Sequence, residues 1–220
     1  MSSDASNNVN GDAVIDDAAS EVISEEPVFR AAAADDTPAL AACIREVSPD
    51  VVDTLLKGLI PGINPEYILT TALRDDSSHY SYRNCVLAEI AGNPAGLLFA
   101  YPAENQGIPA IMERMIAPSR LDPMRELLTA AVPGSLYINT LWVAAGVRGQ
   151  GMADALMDYA RFWAESLGLN SLSLFCWRDN ARARAFYLRQ GFKPRREIPA
   201  KGPLKEKHDI GDLYELQLGA

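Results

Sequence analysis

The sequence predicts a mixed α/β fold: one domain on a single central sheet of about six to seven strands, flanked by helices. Three observations carry that expectation. Segments of strand character at 28–30, 82–91, 96–101, 135–143, 171–176, 193–199 and 208–218 alternate with helical ones. Their order is strand, helices, two strands, an insertion, strand, helix, strand, helix, two strands. A length of 220 residues suits one good core and is short for two, and the hydrophobic fraction of 48% fits a globular body.

Each element has a local reason. Val28–Arg30 reads as a short first strand. Asp35-Asp36-Thr37-Pro38 is a capped helix start, with Leu40, Ile44 and Val47 on one face. Asn64-Pro65-Glu66 opens a helix in the same way, with an acid near the positive dipole end. The strand from Tyr82 to Ala91, the turn Gly92-Asn93-Pro94 and the run Gly96–Tyr101 make a hairpin. Residues 103–134 have helical spacing broken by prolines at 118 and 123, and read as a helical insertion. Ser135–Val143 is rich in branched and aromatic residues, as a strand requires. A glycine-rich loop then leads into a helix carrying Met152, Leu156, Tyr159, Trp163 and Leu167 at steps of three and four, stopped by Gly168. Ser171–Cys176 alternates apolar positions, Asn180 caps a last helix that ends at Gly191, and two strands close the chain around the polar loop 200–209.

Charge and composition narrow the function classes. The net charge is −9, but seven acids precede the first base at Arg30. The 29 acids less these seven leave 22 against 20 bases. So near-neutral a body has no field to draw in a phosphate backbone, which weighs against a nucleic-acid partner. Residues 1–26, acidic and without an aromatic side chain, read as a disordered tail, and 27–220 as the domain. The tail has the features of neither a secretory nor a mitochondrial leader. No apolar run approaches the roughly 20 residues that span a bilayer. Cys43, Cys85 and Cys176 are odd in number and match no metal spacing, so they read as reduced core thiols of a cytoplasmic protein.

The loop 143-VAAGVRGQGMADAL-156 admits several readings. A dinucleotide fingerprint places its third glycine on Asp154, where a carboxylate would repel a pyrophosphate. A phosphate-binding loop of the Gly-x₄-Gly-Lys-Ser/Thr kind has the right glycine spacing at 146 and 151 but finds Met152 and Ala153 next, with no lysine. A plain tight turn remains as the bland alternative. Whatever the ligand, a helix starting near Gly151 leaves its first N–H groups unpaired, and glycines at 149 and 151 allow a diphosphate close to them.

Arg148-Gly149-Gln150-Gly151-Met152-Ala153 matches Arg/Gln-x-x-Gly-x-Gly/Ala, the acyl-CoA loop of the GCN5-related N-acetyltransferase (GNAT) family. The surrounding 137-YINTLWVAAGVRGQGMADALM-157 resembles that family's fourth strand, loop and third helix. Downstream, 180-NARARAFYLRQGF-192 resembles its second signature, Asn-x-x-Ala-x-x-x-Tyr-x-x-x-Gly-Phe. The segment order agrees over 28–218, with an insertion at 103–134 longer than the minimal family core.

The resemblance implies a GNAT-like acyl-CoA N-acyltransferase fold, acetyl-CoA as co-substrate and no metal. Arg148, Gly149, Gln150, Gly151, Met152 and Ala153 would cradle the diphosphate. The backbone of Leu141, Trp142 and Val143 would take pantetheine amides and the thioester oxygen. Trp142 itself reads as core packing or as a side chain narrowing the acyl site. Asn180 and Ala183 would border pantetheine, and Tyr187, on their helix face, would protonate the leaving sulfur. The other reading of Tyr187 is a core aromatic beside Phe186. Where many relatives carry a carboxylate base, this chain has Asn139, which can orient an amine but not take its proton. The base is then a water chain, Glu89 or Glu104, or none if the amine arrives neutral. Arg182 and Arg189 read as solvent-exposed, with the CoA 3′-phosphate as their other use.

The expected activity is acetyl transfer to a primary amine, on a small molecule or a peptide, by direct attack in a ternary complex. Helices at 36–75 and the insertion would wall the acceptor pocket. The rival is a CoA-binding sensor without catalysis, favoured by the missing carboxylate at 139. A homodimer is left open.

Overall fold

The computed structural model describes residues 26–219. The expected tail, but for Glu26, lies outside the described residues. The chain runs β1 (Val28–Ala31), α1 (Thr37–Val47), α2 (Pro49–Leu56), α3 (Pro65–Arg74), β2 (Cys85–Ile90) and β3 (Asn93–Pro102). The insertion holds α4 (Ala110–Met115), α5 (Pro118–Leu121) and α6 (Arg125–Leu128). Then come β4 (Ser135–Val143), α7 (Met152–Ser166), β5 (Ser171–Trp177), α8 (Ala181–Arg189), β6 (Lys193–Pro199) and β7 (Ile210–Gln217). One seven-stranded sheet, in the order β1-β2-β3-β4-β5-β7-β6, binds them together. Its β4–β5 pair is parallel and every other pair antiparallel.

Local chemistry explains the boundaries. Pro49 starts α2 directly after Ser48 ends α1, so the first helical region is three helices, with Asn64 capping α3 through the Tyr67 amide at 2.7 Å. In the insertion, prolines at 109, 118 and 123 each stand at the start of a short turn of helix, and no long helix forms. The strand expected from Tyr82 starts at Cys85, because Ser81 caps a 3₁₀ turn over Tyr82–Asn84.

The sheet separates two cores. On one face α1–α3 and the insertion pack over Leu87, Leu97, Phe99, Tyr101 and Tyr137. On the other, α7 lies over Leu98, Leu136, Leu172 and Leu174, with Ala183, Phe186 and Tyr187 of α8 beside it. The buried stripe of α7 is Met152, Leu156, Met157, Ala160 and Ala164. The stripe read from spacing is therefore rotated: Tyr159 and Trp163 sit at its margin, and Leu167 is 47% exposed beyond the helix end. Small residues decide this, because Ala160, Ala164 and Gly96 let the helix settle against the strands. A Cβ at Gly96 would lie 2.9 Å from Leu156 and 3.2 Å from Met152 Sδ. All three cysteines are buried free thiols. Burial pushes Cys43 up to about 11 and Cys176 up to about 12, so neither is a nucleophile at neutral pH.

Candidate active site

The site begins where the sheet comes apart. β4 and β5 pair only from Ser135↔Ser171 to Ile138↔Leu174, although both strands run on. At the same point β4 bulges against β3: Phe99 faces Thr140 and Ala100 faces Ile138, so Asn139 has a ladder partner on neither side. Strand alternation from Tyr137 points Asn139 toward the α1–α3 face, and the bulge shifts the alternation after it, so that Trp142 shares that face. There its Nδ2 donates to the Tyr101 hydroxyl at 3.1 Å and its Oδ1 accepts from Thr140 Oγ1 at 3.1 Å. Tyr101 in turn donates to Gln106 Oε1 at 2.7 Å.

Beyond the bulge, the hydrogen-bonding parity of β4 is fixed by Ala144, whose amide donates to the Ala95 carbonyl. Antiparallel pairing alternates, so Trp142 also turns its backbone to β3, while the amides of Leu141 and Val143 point into the gap left by β5. The Trp142 indole lies on the α1 side, its Nε1 donating to Glu46 at 2.8 Å. It packs against the α1 side and also borders the cavity described below, so both of its readings stand. Glu46 also accepts from Arg148 Nη2 at 2.7 Å, and Arg148 Nε caps the Val143 carbonyl at 2.9 Å. Arg148 therefore ties the glycine loop to α1 and is not simply solvated.

The loop ends at Gly151, φ +88°, which caps α7 in the left-handed region, and Gly149 sits at φ +84°. A Cβ at either would meet nothing within 4 Å, so conformation and not crowding requires these glycines. The first α7 amide to reach a helix carbonyl is that of Ala155, on Gly151. The preceding turn of amides is open at the positive helix end, a fit for the diphosphate of acetyl-CoA. Gln150 folds its side chain onto the Gly146 carbonyl at 3.0 Å, and Met152 is buried in the core beneath. Asp154 is occupied by Gln190 of the α8 end at 2.6 Å.

On α8, Asn180 caps its own helix through the Ala183 amide at 3.1 Å, leaving its Nδ2 for a ligand. Tyr187 is half-buried, edge-on to Phe186 and Phe192. Burial raises its pKa well above the usual phenol value, with Cys176 and Tyr137 adding to the effect, so it stays protonated. Arg182 and Arg189 are exposed.

One cavity of about 1040 Å³ connects these parts. Asn139, Leu141, Trp142, Val143, Arg148, Gly149, Gly151, Ala153, Asn180, Ala183 and Tyr187 all border it; Gln150 and Met152 do not. Neither carboxylate considered as a base is there. Glu89 is held by Arg30 at 2.6 Å on the outer strands, and Glu104 accepts from the Gly134 amide at 2.8 Å. Sequence reasoning missed Tyr101, Tyr137 and His79, which complete the wall around Asn139. Tyr137 was within reach, two positions before Asn139, but Tyr101 and His79 arrive only through the β3–β4 register. His79 lies edge-on to Tyr101, ring centroids 4.8 Å apart, and burial lowers its pKa, leaving it neutral at pH 7. Among the described residues, no group of three or more His, Cys, Asp or Glu side chains could hold a metal ion.

A parted parallel strand pair, with a glycine-led helix beneath the parting and a second helix presenting a phenol, defines the acyl-CoA transferase class of fold. The acetyltransferase (GNAT) family model matches residues 60–192, and the chain belongs to that family. Over 64 residues it is 38% identical to a mycothiol acetyltransferase of Beutenbergia cavernae, a match covering 29% of this chain; the chain spans about a fifth (21%) of that relative's length. Among solved structures, an N-acetyltransferase from Staphylococcus aureus Mu50 superposes with TM-score 0.64 at 20% identity, covering 86% of this chain and all (100%) of that one. A Drosophila melanogaster polyamine N-acetyltransferase superposes with TM-score 0.61 at 17% identity, covering 88% and 100%. No helix among the described residues is long and apolar enough to cross a membrane.

Proposed function

We propose that the chain transfers the acetyl group of acetyl-CoA to a primary amine by direct attack in a ternary complex. The observation that carries this reading is the parting of β4 from β5 at Ile138 and Leu174, which opens one cavity onto both Tyr187 and Asn139. The Leu141 and Val143 amides, which face the gap, would bind the pantetheine arm, and one of them would receive the developing oxyanion. Asn139 Oδ1 has a second lone pair to accept an N–H of the incoming amine, its orientation fixed by Tyr101 and Thr140. As the C–N bond forms and the C–S bond breaks, Tyr187 gives its proton to the sulfur and recovers one from solvent. We assign His79, neutral and bordering the cavity, to take the amine's proton through water.

The absence of a carboxylate at 139, with Glu89 and Glu104 engaged elsewhere, favours the second reading, a CoA-binding sensor. Thermal shift with acetyl-CoA, NAD and ATP, followed by release of free CoA across an amine library, separates the readings. Stabilisation by acetyl-CoA alone with CoA release is the expected result. Stabilisation without release from any amine would establish the sensor, and stabilisation by NAD or ATP instead would sink both.

A further inference from the structure

The α1–α3 and insertion side of the cavity has a chemistry of its own, and that chemistry points to a substrate class. This inference rests on the acetyl transfer proposed above. Val51, Leu55, Leu59, Ile68, Ile108 and Met112 form its walls from α2 and the loop after it, α3 and the insertion. Its mouth is apolar as well. Of the ten large hydrophobic side chains exposed among the described residues, five border this cavity: Val47, Ile60, Tyr67, Ile111 and Met115. Exposed apolar side chains gathered at one opening mark a surface that a ligand covers.

Charge points the same way. Three carboxylates border the whole cavity. Glu46 is held by Arg148 and Trp142, and Asp154 by Gln190, both beside the glycine loop. Asp75 is exposed at the end of α3 and already accepts from the Ser77 amide and hydroxyl. Asp75 stands at the exposed end of α3 and not among the apolar walls, and His79 is neutral. A second ammonium or guanidinium carried among those apolar walls would lose its hydration and gain no partner there. Hydrogen-bonded side chains meet where the amine itself must stop, at Asn139, Tyr101 and Gln106.

We propose that the acceptor is a primary monoamine on an apolar body, arylalkyl or alkyl, and not a polyamine, a guanidino amine or a basic peptide. Asn139 receives the amine, and the α2–α3–insertion wall takes the body.

The test uses the full chain with acetyl-CoA and follows CoA release. Phenethylamine and octylamine are expected to give kcat/KM at least tenfold above spermidine, agmatine and a lysine peptide. Equal or better turnover of any of those three overturns the proposal while leaving acetyl transfer intact. So does a tenfold preference for octanoyl-CoA over acetyl-CoA with ethylamine, since the chamber would then be an acyl pocket. If no amine releases CoA, yet phenethylamine and not spermidine raises the melting temperature of the acetyl-CoA complex, transfer fails and the assigned ligand class stands. Met112→Glu should reverse the octylamine-to-spermidine ratio by at least tenfold and Met112→Leu should keep it. An unchanged ratio in a folded Met112→Glu protein overturns the wall assignment, and the wild-type panel decides the matter if that variant does not fold.

Discussion

The two halves of the cavity are built by different means. The half proposed for the cofactor, formed by the β4 end, the glycine loop, α7 and α8, is shaped by backbone: a bulge, two left-handed glycines, an open helix terminus and strand amides facing a gap. The half proposed for the acceptor, formed by α1–α3 and the insertion, is shaped by side chains, with apolar walls and a hydrogen-bonded polar group at Asn139. A diphosphate and a pantetheine arm are the same in every reaction of the family, so fixed main-chain donors serve them. An acceptor differs from one enzyme to the next, and side chains can change without disturbing the strands.

That contrast can be broken at several points. The largest effect is expected from Tyr187→Phe, which removes the proton donor and keeps the ring. Turnover should fall about a hundredfold, about 2.7 kcal/mol, with acetyl-CoA affinity unchanged. Unaltered kcat would return Tyr187 to a packing role.

Asp212→Asn tests the framework behind the gap. Arg178, at the β5 end, grips Asp212 through two bonds of 2.7 and 2.8 Å, and Asp212 is 3% exposed. The loss should be about 2 kcal/mol of stability in a denaturant titration at pH 7. Arg178 holds the Asp212 carboxyl below its ordinary pKa. Its contribution is therefore complete above about pH 4 and lost as pH falls through the depressed folded value. The wild-type and variant stabilities should converge in acid; a gap that persists there means the cost was packing.

His79→Gln probes the junction from the acceptor side. A drop of about tenfold in kcat/KM at pH 7, roughly 1.4 kcal/mol, should shrink as pH rises and more of the amine is neutral in solution. A pH-independent loss would make His79 a wall and not a base. The smallest effect is expected from Glu46→Gln, which weakens the tie from α1 to Arg148 and Trp142. A rise of about threefold in the KM for acetyl-CoA, near 0.6 kcal/mol, suits an exposed pair. A larger change in amine KM would show that the tie serves the acceptor half instead.

Legibility in the sequence followed the same division. Gly149, Gly151, Asn180 and the β4 segment could be read because a positive φ, a helix cap and a strand are local demands that few residues satisfy. Asn139 was found as a position, but its meaning was not. Nothing local shows that β4 bulges there and loses β5 at the same residue. Glu89 and Glu104 were reasonable bases by type, and long-range pairing with Arg30 and Gly134 removed them. The α7 stripe was misjudged because spacing weighs Tyr159 and Trp163 by size, whereas close packing on the sheet selected Ala160 and Ala164.

The sequence by itself determined the element order, the helix that begins on glycine, and the family whose two signatures it carries, because these rest on conformations that neighbouring residues impose. Only the tertiary structure decided which amides face the gap, that Arg148 is tied to α1, that Tyr101 bonds Asn139 with His79 against its ring, and that α2, α3 and the insertion wall the cavity with apolar side chains. Those features join residues far apart in the chain, and strand register and helix packing set them.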